Sequence, residues 1–469
     1  LTISGTGDMD DFGSSNRPWE KHERQIKKVV INEGVTSIGS YAFYQCHYMA
    51  EIELADSITT IGAAAFNLCY DLTSVDLPES LITLGDAAFR GAGLTSVELP
   101  ENVKSIGARV FDGCNLASVK LNAGLESIGD DAFHGAKVTE LTLPDSITTI
   151  GEYAFNYCYN LTSINIPKNL TKISKGMLAE CYKLSSIVIP EGVTSIGESA
   201  FSRCTSLSNI TIPSTIQEIG ASAFLGCGAL KNIVIPAKVT VINNSTFHSA
   251  AGLESITFLG NITSIGASAF VNCSSLKEFN IPSSVSTVGE NAFAQSGLEK
   301  ITVPATVKSY GDKVFRACKS LTNVTIEEGV TQITAEMFKE CVALTTIQLP
   351  STIDTIQASA FCGCTLLSSI TIPNKVSKIP SYAFAECSGL KNFALGSGVT
   401  EIGEYAFYKC NALENITISG NVSKICSYAF ASCSGLNRSM LESQIIFQFI
   451  QHLHLTFWKD KNAFNVHTL

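Results

Sequence analysis

The sequence predicts a solenoid, a stack of short parallel strands that absorbs nearly the whole chain. Three observations predict it. First, a phenylalanine recurs at 43, 66, 89, 111, 133, 155, 201, 224, 247, 270, 293, 315, 338, 361, 384, 407 and 430, with Leu178 filling the one gap. These eighteen positions stand 22 or 23 residues apart, a period at which no unit buries its apolar face alone and neighbours must stack. Second, one pattern surrounds each of them: L-x-x-I-x-I-P, then V-x-x-I-G-x-x-A-F-x-x-C, as from Leu72 through Phe89. Third, 45% of the residues are hydrophobic, yet no run of about 18 apolar residues spans a bilayer. An apolar composition without a span is what a coil-by-coil core requires.

Residues 1–25 fall outside the period and are the expected N-terminal cap, since the first coil needs cover for its open apolar end. Leu1-Thr-Ile-Ser-Gly5 reads as a strand. The acidic run Asp8-Met-Asp10-Asp11-Phe12-Gly13 has the beginning of a calcium-loop spacing, but Phe12 and Trp19 occupy ligand positions, so no metal is assigned. Leu1 in place of a starting methionine implies a processed or partial chain.

Residues 26–436 are the solenoid. In each coil L-x-x-I-x-I alternates with period two and reads as a strand. The proline that follows in many coils, such as Pro100, Pro190 and Pro350, cannot donate to a ladder and ends it. V-x-x-I-G is a second short extended piece. Its glycine slot also holds Ser174, Asn243, Thr334, Gln357, Pro380 and Cys426, so a left-handed backbone is not required there and glycine serves close packing. A-F-x-x-C reads as one helical or 3-10 turn, because residues three apart share a face. Four coils lose one residue between the core Phe and the next apolar residue: Phe89 to Leu94, Phe111 to Leu116, Phe133 to Val138 and Phe293 to Leu298. Deletions confined to one loop mark an edge that tolerates change.

Sixteen cysteines suggest a disulfide or metal framework until they are placed. Fourteen stand three residues after the core position, and Ala92, Ala136, Ala250 and Ser296 fill the same slot elsewhere. A slot shared by Cys and Ala is small and buried, so these thiols read as reduced core fillers. Only Cys362 and Cys426 break the rule.

This pattern resembles the BspA-like, or Treponema-type, class of leucine-rich repeat. Its signature is matched as Ile189-Pro-Glu-Gly-Val193-Thr-Ser-Ile196-Gly-Glu-Ser-Ala200-Phe201-Ser-Arg-Cys204. The resemblance implies a right-handed arc, secreted or on a bacterial cell surface, that adheres to or binds partners. It implies no catalytic residues and no cofactor. Partners would be protein or glycan ligands on host or neighbouring cells.

Residues 437–469 lose the period and read as a second cap or a foreign ending; His452 and His454 lack a further metal ligand there.

Function must be read from departures from the period. A formal net charge of −10 argues against nucleic acid. His47, His134 and His248 lie in coils 1, 5 and 10, too far apart at ~4.8 Å per coil to form a shared catalytic site. Non-catalytic binding is the expected function, with a structural spacer as the alternative. Two surfaces are candidates. The first is a group of aromatic and basic residues: Tyr153, Tyr157, Tyr159 and Tyr182 with Lys172 and Lys175, where Leu178 and Ser174 also break the pattern. Tyrosine offers a rigid apolar body with a polar tip. The second is the acidic ladder Glu53, Asp76 and Glu98, beside Glu51 and ahead of Lys120. Like charges on paired strands repel, so the ladder needs solvent, lysines or a cationic partner.

Overall fold

The protein is described from a computed structural model, which describes residues 1–418 and 421–436. The expected ending at 437–469, with His452 and His454, lies outside the described residues. The chain divides into two compact units: Leu1–Val239 with Thr257–Gly260, and Thr240–Ile256 with the residues from Asn261 onward.

Both units are parallel β-solenoids. In the first unit, β1 (Thr2–Ile3) pairs with β3 (Lys28–Ile31), and β2 (Gly7–Asp8) pairs with β4 (Val35–Ile38). The second strand of each coil continues from β4 through Thr60–Ile61, Thr83–Leu84, Ser105–Ile106, Ser127–Ile128 and Thr149–Ile150, giving a seven-stranded parallel sheet that β2 begins. Equivalent residues lie opposite each other, so Ile106, Ile128 and Ile150 form one buried column. In the second unit Lys378, Glu401 and Lys424 align in the same way, over Ile379, Ile402 and Ile425. Period-two alternation produces this: one face of each strand points inward and the other to solvent.

The core is a column of rings. Phe43, Phe66, Phe89, Phe111, Phe133 and Phe155 stack at centroid separations of 5.1 to 5.9 Å. Phe247 through Phe293 and on to Phe430 do the same in the second unit. The column opens on the segment before the first coil. Trp19 stacks on Phe43 at 5.5 Å, and its indole N–H donates to Ala42 O at 2.8 Å. Asp8 accepts a hydrogen bond from Thr36 Oγ1 and Asp11 one from the Ser40 amide, so these carboxylates bind the first coil.

The A-F-x-x-C segment is not the helical turn that its spacing suggests. The residues two before and two after every core position have positive φ, between 52° and 75°. Left-handed residues interrupt any helix. The amides alternate instead. Those of Ala42, Tyr44 and Cys46 fold back on the carbonyl three residues earlier, whereas those of Tyr41, Phe43 and Gln45 reach carbonyls of the next coil. Each turn is thus a string of tight bends that also forms a third inter-coil ladder. The Phe and Cys side chains still share one face. Among the described residues the one 3-10 helix is Glu20–Gln25.

The glycine slot serves close approach, as expected. A Cβ at Gly62 would stand 2.6 Å from the Ser40 amide nitrogen, a clash that a side chain could relieve only by parting the coils. At two of the slots that are not glycine the side chain bonds to the preceding coil: Ser174 Oγ donates to Ile150 O, and Thr334 Oγ1 to Gly311 O at 2.8 Å.

The core thiols are free and buried, and they do more than fill space. Cys69 Sγ donates to Phe43 O at 3.2 Å, Cys204 to Leu178 O at 3.1 Å and Cys387 to Phe361 O at 3.1 Å. The same bond recurs from coil to coil, always to the core residue one coil earlier. Burial pushes the Cys158, Cys204 and Cys273 thiols up to about 12.

Candidate functional site

The expected acidic ladder is interrupted: Glu53 and Glu98 stand on exposed strand positions, Glu51–Glu53 and Ser96–Glu98, with a lysine beside each, but Asp76 lies on a segment that forms no strand, so the three carboxylates do not share one paired sheet. Lys28 on β3 bridges Glu51 and Glu53 of the next strand, and Lys120 pairs with Glu98 across aligned strands. Asp76 is exposed between them. The hydrogen bonds that Lys28 donates to Glu53 and then Glu51 hold its ammonium above its usual range.

The tyrosine and lysine group divides. Tyr157 and Tyr182 meet edge to face at 6.3 Å, and Tyr182 donates to Glu180 Oε2 at 2.6 Å, which raises its hydroxyl pKa. Tyr153 instead covers the next coil: a Cβ at Gly176 would lie 2.2 Å from its ring, so the left-handed site there takes glycine. Lys175 accompanies Tyr153 and pairs with Glu198 at 3.1 Å. Lys172 is exposed on the strand Lys172–Ile173, before the turn. Tyr159 is 37% exposed on the loop that follows Cys158, one coil earlier. The positive charge concentrated here is shared with neighbours, since Lys168 pairs with Asp145 at 2.9 Å and Lys183 donates to Asn160 Oδ1 at 2.8 Å.

The structure adds a cluster that the sequence reading passed over. In coils 3, 4 and 5 the residue after the core Phe is Arg90, Asp112 and His134. Arg90 Nε donates to Asp112 Oδ2 at 2.9 Å, and His134 Nδ1 lies 2.8 Å from Asp112 Oδ1. The hydrogen bond to Asp112 raises the His134 imidazole above its usual value, with burial opposing it. Burial alone would raise the Asp112 carboxyl, but the bonds from His134 and Arg90 hold it below the usual carboxylate range. On the side of His134 toward coil 6 stands the Tyr157 ring, 5.9 Å away between centroids. The spacing of the histidines alone carries no sign of this cluster. Aligning the coils by column brings these three residues together.

Two ladders of strands, a column of stacked rings and one tight turn per coil define a leucine-rich repeat scaffold. The chain belongs to the family described as BspA type leucine rich repeat region, whose six-copy pattern matches residues 21–137, 126–253, 242–368 and 356–452. A leucine-rich repeat protein of Bacteroides ovatus is 26% identical, covering 87% of this chain and 91% of its own, with a TM-score of 0.53. A leucine rich cell surface protein of Faecalibacterium prausnitzii is 24% identical over 84% of this chain and 86% of its own, with a TM-score of 0.36. The Treponema pallidum leucine rich repeat protein is 24% identical over 47% and 79%, with a TM-score of 0.28. Among curated protein sequences, none matches. No helix among the described residues is long and apolar enough to cross a membrane.

Proposed function

We propose that the protein is a non-catalytic adhesin that presents its repeat surface to protein or glycan partners, secreted by or displayed on a bacterial cell. One observation carries this reading: the repeated residues are spent on the stack itself, and those that vary from coil to coil face solvent. The Phe, Ile and Cys columns are buried, whereas Glu53, Lys120, Val188 and Tyr157 are exposed. A scaffold that holds its core constant and varies its surface is suited to recognition. The membership in a family of repeat scaffolds and the resemblance drawn from Ile189 through Cys204 support the extracellular setting.

The binding surface proposed first is Tyr153, Tyr157, Tyr159 and Tyr182 with Lys172 and Lys175, and second the ladder of Glu53, Asp76 and Glu98. The full chain is assayed for attachment to epithelial cells and to extracellular-matrix coatings. An adhesin attaches, and a folded Tyr157→Ala/Tyr182→Ala variant attaches at least about tenfold less well if the first surface carries the contact. Attachment that survives this variant but falls in Glu53→Gln/Glu98→Gln moves the site to the acidic ladder. Failure of the parent to attach to any surface points to a spacer instead.

A further inference from the structure

We propose that the turn edge of coils 3 to 5 binds an acidic glycan, one whose sugars carry a carboxylate on every second unit, across Arg90, Asp112 and His134. The proposal rests on the binding reading above and gives it a location and a ligand class.

The edge is built as a saddle. Coils 3, 4 and 5 are three consecutive coils shortened by one residue after the core Phe, and at the left-handed position each of them carries glycine: Gly91, Gly113 and Gly135. A Cβ at Gly135 would meet nothing within 4 Å, and one at Gly113 would meet only the Gly91 backbone, at 3.9 Å. On the N-terminal side Leu68 leans over Gly91, and Tyr70, stacked on His47 at 4.9 Å, is exposed beyond it. On the C-terminal side Tyr157 takes the position that glycine holds in the saddle, and it is 44% exposed. Aromatic walls therefore bound a floor of bare backbone.

Asp112 sits at the middle of the line and takes one nitrogen from each neighbour. This fixes both cations and leaves the Arg90 terminal nitrogens and His134 Nε2 to donate outward. Their side chains are 49% and 38% exposed. The line thus offers two outward donors, one from coil 3 and one from coil 5, a pattern for a ligand that carries spaced carboxylates.

Spacing decides between a sugar chain and a peptide. Coils repeat at ~4.8 Å, whereas an extended peptide advances ~3.4 Å per residue, with side chains on one face every ~6.8 Å. That peptide spacing does not match the coils. A pyranose unit advances its chain by close to one coil repeat. Arg90 and His134 stand two coils apart, so a carboxylate on every second sugar meets each in turn, and the Tyr157 ring is placed to stack on a sugar face. The groups that face His134 are Asp112, Asp131 and Glu180, and Arg203 lies 3.5 Å from Glu180. The imidazole donates from Nε2 only when protonated. Because its pKa is raised, binding is strongest below about pH 6.5 and falls as pH rises through the higher value.

The test is calorimetric titration of the full chain with a hyaluronan hexasaccharide at pH 5.5 and 8.5. Chitohexaose serves as the neutral control and hexaglutamate as the acidic peptide. We expect the uronate chain to bind at least tenfold more tightly at pH 5.5 than at 8.5, and chitohexaose to bind at least tenfold less tightly than it. Arg90→Gln and His134→Gln should each weaken binding about tenfold, and His134→Gln should remove the pH dependence. Gly135→Tyr fills the saddle with the residue found at that position in the next coil, and it should abolish binding while the circular dichroism spectrum is retained. Equal binding by chitohexaose, or competitive binding by hexaglutamate of equal affinity, overturns the ligand class. Undiminished binding to Gly135→Tyr overturns the location. If no uronate chain binds while the parent still attaches to cells or matrix, this inference fails and the adhesin reading stands.

Discussion

At the residue scale, the left-handed positions two before and two after each core residue set rules that spacing alone does not reveal. Their occupants include Ser, Tyr, Glu, Asn, Lys, Ala and Gly, but never Val, Ile, Thr or Pro. β-branched residues are outliers at positive φ because their second γ-atom crowds the backbone. Ser268, with φ of 56°, is a test position. Ser268→Val should lower unfolding free energy by about 1–3 kcal/mol, while Ser268→Gly should be nearly neutral in the same denaturant titration. The cysteines give a second prediction. A thiol pushed up to about 12 by burial, such as Cys204, supplies almost no thiolate at neutral pH. Cys362 and Cys426 are the only partly exposed ones among the sixteen. Mass spectrometry after brief alkylation of the native protein should find label at those two first. Early label spread over the core column would contradict this.

At the scale of the element, the strands were legible because alternation and proline leave little choice, and the turn was not. A three-residue spacing of Phe and Cys fits a helical turn and a string of tight bends equally well, and backbone handedness has no periodic signature. The sign of it lay in the missing β-branched residues. The segment before the first coil was legible as a cap only through its break in period; its means of attachment, the Trp19 ring on Phe43, was not. Trp19→Ala should remove that cover. Loss of a large packed ring costs about 3 kcal/mol, and the effect should be local. Hydrogen exchange should quicken at the amides of Tyr41, Phe43 and Gln45 and stay unchanged in coils 12 to 16. Uniform quickening would argue that the segment does not act as an end cover.

At the scale of the whole molecule, stability is a sum over neighbours, since each coil touches only the coils beside it. Phe111 packs on Phe89 at 5.9 Å and on Phe133 at 5.4 Å, so Phe111→Ala weakens two interfaces at once, by about 3–5 kcal/mol in all. Calorimetry of the full chain should then show a broader or divided transition, with van't Hoff enthalpy below the calorimetric value. A single sharp transition merely displaced to lower temperature would count against nearest-neighbour stacking. The core repeats and so announces itself in the sequence, whereas the saddle is a short run of exceptions, visible only once the coils are laid in columns. The left-handed residues carry one more consequence. Glycine would suit that backbone best, yet most coils place a side chain there and tolerate the strain. Those positions therefore work as mounting points, where the chain gives up conformational ease to hold a chosen group out to solvent. Changing what is mounted, or leaving the mount bare as at Gly91, Gly113 and Gly135, alters the outer edge without disturbing a single ring of the core.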